Sequence, residues 1–89
     1  MVQVIWLEDA IVSVEAIRGY LRQFNPEAAD RFAQRLIHAG NSLAEFPNRG
    51  RPTDDGFREL VSVPPYVLRY RVTDETVYIA RIKHGRQRG

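Results

Sequence analysis

Along this chain the hydrophobic positions switch from alternating to helical spacing and back again. Val2-Gln3-Val4-Ile5-Trp6 alternates loosely ahead of Glu8 and Asp9, which predicts a short first strand with Trp6 buried as core. From Asp9 the period becomes helical: Ala10, Val14, Ile17, Leu21 and Phe24 recur on one side, flanked by Ile11 and Tyr20, while Glu15, Arg18, Arg22 and Gln23 take the other. Asn25-Pro26-Glu27 stops this helix and starts a second one, because Asn is a favoured N-cap, Pro fits the first helical turn, and Glu suits the positive end of the dipole. Ala29, Phe32, Leu36, Ala39 or Gly40, and Leu43 form the second apolar stripe, with Arg31, Arg35 and Glu45 outside it and Phe46-Pro47 at its end. So close a junction folds the helices into an antiparallel hairpin whose joint apolar face can cover a sheet.

Asn48 to Gly56 is turn chemistry throughout and predicts a surface loop, in which Gly50 would let a backbone come close and Arg49 and Arg51 offer charge. Phe57 to Val63 reads as the second strand, and Pro64-Pro65 turns it into the stretch from Tyr66 to Arg88, rich in β-branched and aromatic residues. Only Asp74-Glu75 interrupts that stretch, so it reads as a β-hairpin. Its expected register sets Val72 against Val77, Tyr70 against Ile79, Leu68 against Arg81 and Tyr66 against Lys83. One face then carries Leu68, Tyr70, Val72, Val77 and Ile79; the other shows Arg69, Arg71, Tyr78 and Ala80. The order β-α-α-β-β-β predicts an α+β fold over residues 1–89, a helix hairpin on one face of a small, mostly antiparallel sheet.

Composition narrows the chemistry. A chain of 89 residues supports one modest core, burying roughly 60 to 65 per cent of its unfolded surface. The absence of cysteine removes disulfides and thiolate metal sites and suits a reducing cytoplasm. The apolar opening is too short for a signal core or a membrane span, so no membrane partner is expected. There is no phosphate-cradling glycine loop, nucleophile elbow, Cys-His pair or HExxH. The acid pairs Glu8-Asp9 and Asp54-Asp55 fall at a helix start and in a loop, and His38 has no second ligand three or four residues away. No metal or cofactor is expected.

Charge placement adds something positive. The net charge is +2, but the acids lie mainly ahead of Glu59, while the last nine residues hold Arg81, Lys83, Arg86 and Arg88 and no carboxylate. A basic end on a nearly neutral body points to an anionic partner, with a solvated tail as the plain alternative. The candidate target-binding residues are Arg58, Arg69, Arg71, Arg81, Lys83, His84 and Arg86. On the expected register Arg81 and Lys83 continue the core-facing row just where the helices run out. Held there, an arginine can fork onto phosphate or carboxylate, or pair with Glu59 or Glu45 as a structural bridge; residue type leaves both open.

The whole chain resembles a toxin of the RelE/ParE superfamily from bacterial type II toxin-antitoxin systems. The likeness rests on the opening strand ending in Trp6, the Asn25-Pro26-Glu27-Ala28-Ala29 junction with Phe32 after it, and the Phe46-Pro47 and Gly50-Arg51-Pro52 loop. It continues through Arg58-Glu59-Leu60, Pro65-Tyr66 with Tyr70-Arg71-Val72, and the ending from Val77-Tyr78-Ile79 to Arg81-Ile82-Lys83-His84-Gly85-Arg86. The resemblance implies a stable toxin neutralised by a labile antitoxin, ParD-like or RelB-like, with operator DNA bound only through the antitoxin. Such an antitoxin would be mostly disordered alone and would lay an amphipathic helix or an added strand on the toxin, its acids meeting the arginines.

Two activities are implied. ParE-like members inhibit DNA gyrase and need no catalytic set; RelE-like members cleave mRNA on the ribosome. Where the mRNA endonucleases often carry an arginine this chain has Val67, and it lacks their lysines around the second strand and their aromatic at the extreme C-terminus. Arg81 and His84 do fall at positions similar to those the nucleases use, which implies a phosphate clamp and a candidate proton-transfer group, with no clear partner of the opposite function. The expectation is a ParE-like gyrase inhibitor without catalytic residues. The alternatives are an mRNA endonuclease using Arg81 and His84, and an inactive homologue retained for operon autoregulation.

Overall fold

A computed structural model describes residues 2–86. Strand β1 spans Gln3–Trp6, helix α1 Glu8–Arg22 and helix α2 Pro26–Asn41, followed by a single 3-10 turn at Ser42–Ala44. Strands β2 (Arg51–Pro52), β3 (Arg58–Val63), β4 (Tyr66–Thr73) and β5 (Thr76–His84) complete a five-stranded sheet in the order β1-β5-β4-β3-β2. Only β1 against β5 is parallel. The two helices pack on one face of this sheet, and its opposite face is open. The α+β fold is the one predicted, with β2 as an addition: part of the expected loop pairs with β3 at Arg51–Glu59 and Pro52–Arg58. So short an edge strand ending in proline presents little ladder to a neighbour.

The helix junction forms as its residues dictate. The Asn25 side chain accepts a hydrogen bond from the Ala28 N–H at 3.0 Å, Pro26 opens α2, and Arg18 of α1 bonds Asp30 of α2 at 3.0 Å. Ala29, Ala33, Leu36, Ala39 and Gly40 are buried along α2. Gly40 is required by packing, since a Cβ there would sit 2.4 Å from the Trp6 ring and 2.8 Å from Ile79. Trp6 lies against the core, and its ring N–H donates to Asn41. The stripe of α1 is narrower than its sequence suggests: Ala10 and Val14 are buried, but Ile11 beside Ala10 and Tyr20 near the helix end are exposed, as is Phe24 just after the helix.

The β4–β5 turn is Asp74-Glu75, with Asp74 at φ 56°, a left-handed conformation that aspartate tolerates. Val72 faces Val77 and Tyr70 faces Ile79, as expected. A bulge at Ala80 then shifts the pairing, so that Arg69 faces Arg81, Leu68 faces Ile82, Val67 faces Lys83 and Tyr66 faces His84. The expected pairs Leu68–Arg81 and Tyr66–Lys83 are each off by one residue. The physical reason is Ile82: one extra residue keeps it in the core row at 4% exposure and releases the two flanking cations.

Candidate functional site

The bulge decides where the basic end points. Arg81 and Lys83 do not continue the core-facing row; they lie on the open face of the sheet, together with Arg69 and Arg71. His84 falls on the other face, where its ring meets Tyr66 edge-on at 6.0 Å and lines a shallow groove with Ala16, Ile17 and Tyr20 of α1. The Arg86 N–H approaches His84 Nδ1 at 3.2 Å, and the Arg86 residue is exposed. Arg81 and His84 are therefore separated by the sheet itself. Arg88 lies outside the described residues.

On the open face, Glu59 is the hub. Its carboxylate receives Lys83 Nζ at 3.2 Å, Arg69 at 3.6 Å and Arg51 at 3.6 Å. Asp55 closes the arrangement by pairing with Arg69. The Arg69 guanidinium also lies over the Phe57 ring, 4.2 Å from its centroid, with Arg71 over the same ring at 5.4 Å. Hydrogen bonds from the Thr53 hydroxyl and from Arg69 hold the Asp55 carboxyl well below its ordinary value of 3.8, at about 2. Of the expected cations, then, Arg69 and Lys83 are engaged by carboxylates. Arg81 makes no ion pair among the described residues and is exposed. Neither Glu59 nor Glu45 pairs with it.

Arg58 lies elsewhere. Opposite Tyr70 on the helix-bearing side, it donates to the carbonyls of Gly50 at 2.7 Å and Asn48 at 3.2 Å, so it braces the loop. That loop closes on Tyr70, which is fully buried: the hydroxyl accepts from the Gly50 N–H and donates to the Pro47 carbonyl, both at 2.8 Å. Burial raises the Tyr70 pKa, opposed by the Gly50 hydrogen bond. Gly50 does permit a close approach, but its neighbour is the Tyr70 ring, which a Cβ would meet at 2.7 Å.

Two features escaped the sequence reading. Glu59 as a hub was legible in principle, since it alternates with buried Leu60 and so must point outward, across from Arg69. A second basic surface lies between α2 and β3, where Arg31, Arg35 and His38 of α2 face Arg49 and Ser62 across an open groove. Their spacing of four and three residues along one helix was the available signal.

The described residues hold no group of three or more His, Asp or Glu able to bind a metal ion, and no helix long and apolar enough to cross a membrane. Residues 4–89 match the family described as the ParE toxin of the type II toxin-antitoxin system parDE. Toxin RelE2 of Caulobacter vibrioides is 54% identical over 85 residues, spanning 96% of this chain and 97% of the relative. Toxin RelE1 of the same organism is 39% identical, over 84% of this chain and 90% of the relative. A solved chain described as "Chromosomal ParDE TA system from P. aeruginosa" superposes with a TM-score of 0.80 at 26% identity, covering 94% of this chain and 96% of the other.

Proposed function

The chain belongs to the ParE toxin family of type II toxin-antitoxin systems, and on that premise we propose that it inhibits DNA gyrase, and hence replication, in the bacterial cytoplasm until a cognate antitoxin neutralises it. The observation that carries this reading is the separation of Arg81 from His84. A nuclease of the RelE kind would need a phosphate clamp and a proton-transfer group on one scissile phosphate, within hydrogen-bond reach of it. Here they lie on opposite faces of the sheet, and the neighbouring cations Arg69 and Lys83 are held by Glu59. A protein target asks for a surface instead. Exposed Arg81 and Arg86 supply one at the end of β5, with Arg71 further along the open face.

The mRNA endonuclease reading has one specific observation in its favour, the name RelE2 borne by the relative at 54% identity. A supercoiling assay with purified gyrase separates the two. Added chain should block supercoiling, and the Arg81→Ala, Arg86→Ala double variant should fold yet lose both this inhibition and toxicity at equal expression. Unimpaired supercoiling, together with cleavage of ribosome-bound mRNA by the same preparation, overturns the proposal.

A further inference from the structure

On the open face, three cations from three different strands converge on a single carboxylate. Arg51 of β2 reaches Glu59 Oε1, while Arg69 of β4 and Lys83 of β5 share Oε2. Two of these contacts are 3.6 Å long, beyond the 2.7 to 2.9 Å of a well-made charged hydrogen bond. The carboxylate is thus small for its surroundings: two oxygens serve two guanidiniums and an ammonium, which between them carry many more donors than it can accept. Glu59, Lys83 and Arg69 are sheltered, their side chains 15%, 11% and 18% exposed, while Arg51 closes the group from its open edge at 80% exposure. Phe57 beneath Arg69 and Arg71 fixes the fork of the former. Asp55 is the other carboxylate present, and it pairs with Arg69 alone. Exposed Arg71 and Arg81 flank the cluster without ion pairs among the described residues.

This is the geometry of an oxyanion seat. A phosphodiester has the same number of charged oxygens as a carboxylate but sets them further apart on a tetrahedral centre, and so reaches separated cations on different strands better than a planar carboxylate does. We propose that Arg51, Arg69 and Lys83 form a phosphodiester-binding seat that Glu59 fills from within, making Glu59 the specificity-determining residue that keeps nucleic acid off the open face of the sheet. The proposal deepens the reading of this chain as a toxin with a protein target, and the two fail separately.

The test is binding of a single-stranded RNA oligonucleotide to the purified chain, followed by fluorescence anisotropy over a range of salt concentrations. Glu59→Ala should bind about tenfold tighter or better than the unmodified chain. Its log-log salt slope should steepen by about 0.7, the increment for one added phosphate contact on a single strand. Glu75→Ala, which removes the same charge at the hairpin tip, should bind as the unmodified chain does. Equal tightening by both variants, or by neither, overturns the seat. Melting of Glu59→Ala in inorganic phosphate, against chloride at equal ionic strength, separates seat from oligonucleotide effects: the variant should gain several degrees in phosphate and the unmodified chain none, and no gain overturns the seat. If Glu59→Ala does not fold, Glu59→Gln keeps the side-chain volume and carries the same comparisons. Tighter RNA binding by Glu59→Ala with supercoiling untouched by the unmodified chain would remove the gyrase reading and leave the seat standing.

Discussion

The helix-bearing face of the sheet and its open face are built from the same strands, yet their side chains are held in different ways. Toward the helices, Leu60, Leu68, Tyr70, Val77, Ile79 and Ile82 form a dry row packed against Val14, Leu36 and Leu43. Toward solvent, Glu59 gathers Arg51, Arg69 and Lys83, and Phe57 stacks under two arginines. The first arrangement is stabilised by removal of apolar surface from water, which is non-directional and summed over many contacts. The second depends on the reach of a few charged groups across strands. Shape is therefore set by one face, while the residues left for binding are set by how the other happens to register.

Substitutions should reveal this asymmetry. Leu68→Ala on the helix-bearing face should cost about 2 to 5 kcal/mol, by lost transfer energy and a cavity, and denaturant unfolding would read it. A loss under 1 kcal/mol would mean that the row is not the core. Tyr70→Phe keeps the ring but strands the Gly50 N–H, and should cost about 1 to 3 kcal/mol in the same measurement. On the open face Arg51, with its side chain 80% exposed, should behave differently: Arg51→Ala should change stability by no more than about 0.5 kcal/mol. A larger loss would make the Glu59 cluster structural rather than poised.

The smallest effect is in acid. The Asp55 carboxyl sits at about 2 when folded against an ordinary 3.8, so its contribution is complete above about pH 4 and is lost as pH falls through about 2. Asp55→Asn should flatten the stability profile in that window and lower stability at neutral pH, where the parent's carboxylate contributes in full, so that the two converge in acid. A variant as acid-sensitive as the parent would place the linkage elsewhere.

Much of the helix-bearing side was legible in the sequence because apolar spacing reports burial directly. Asn25-Pro26 marks a junction that forms with the predicted cap, and Tyr70 faces Ile79 across the predicted turn. The open side was not legible to the same degree, since one inserted residue moves every later side chain to the opposite face. Ala80 is small enough to sit in a bulge without breaking the pattern. Ile82 between Arg81 and Lys83 was the clue, an apolar residue centred on the wrong parity for an unbroken strand. Charged residues carry no comparable signal of their own, so the pairing of Glu59 with Lys83, rather than with Arg81, became visible only with the fold. The aromatic residues at the end of the stripe misled as well: Tyr20 and Phe24 keep the helical spacing but are exposed around the end of α1, where they meet each other edge-on at 5.3 Å.

The most direct test of the proposed activity is pulse-labelling of DNA and protein synthesis in bacterial cells immediately after the chain is induced without its antitoxin. The account predicts that DNA synthesis stops first while protein synthesis continues, with Arg81→Ala, Arg86→Ala abolishing the arrest and His84→Ala leaving it intact. Protein synthesis stopping first, with cut mRNA and dependence on His84, would contradict it.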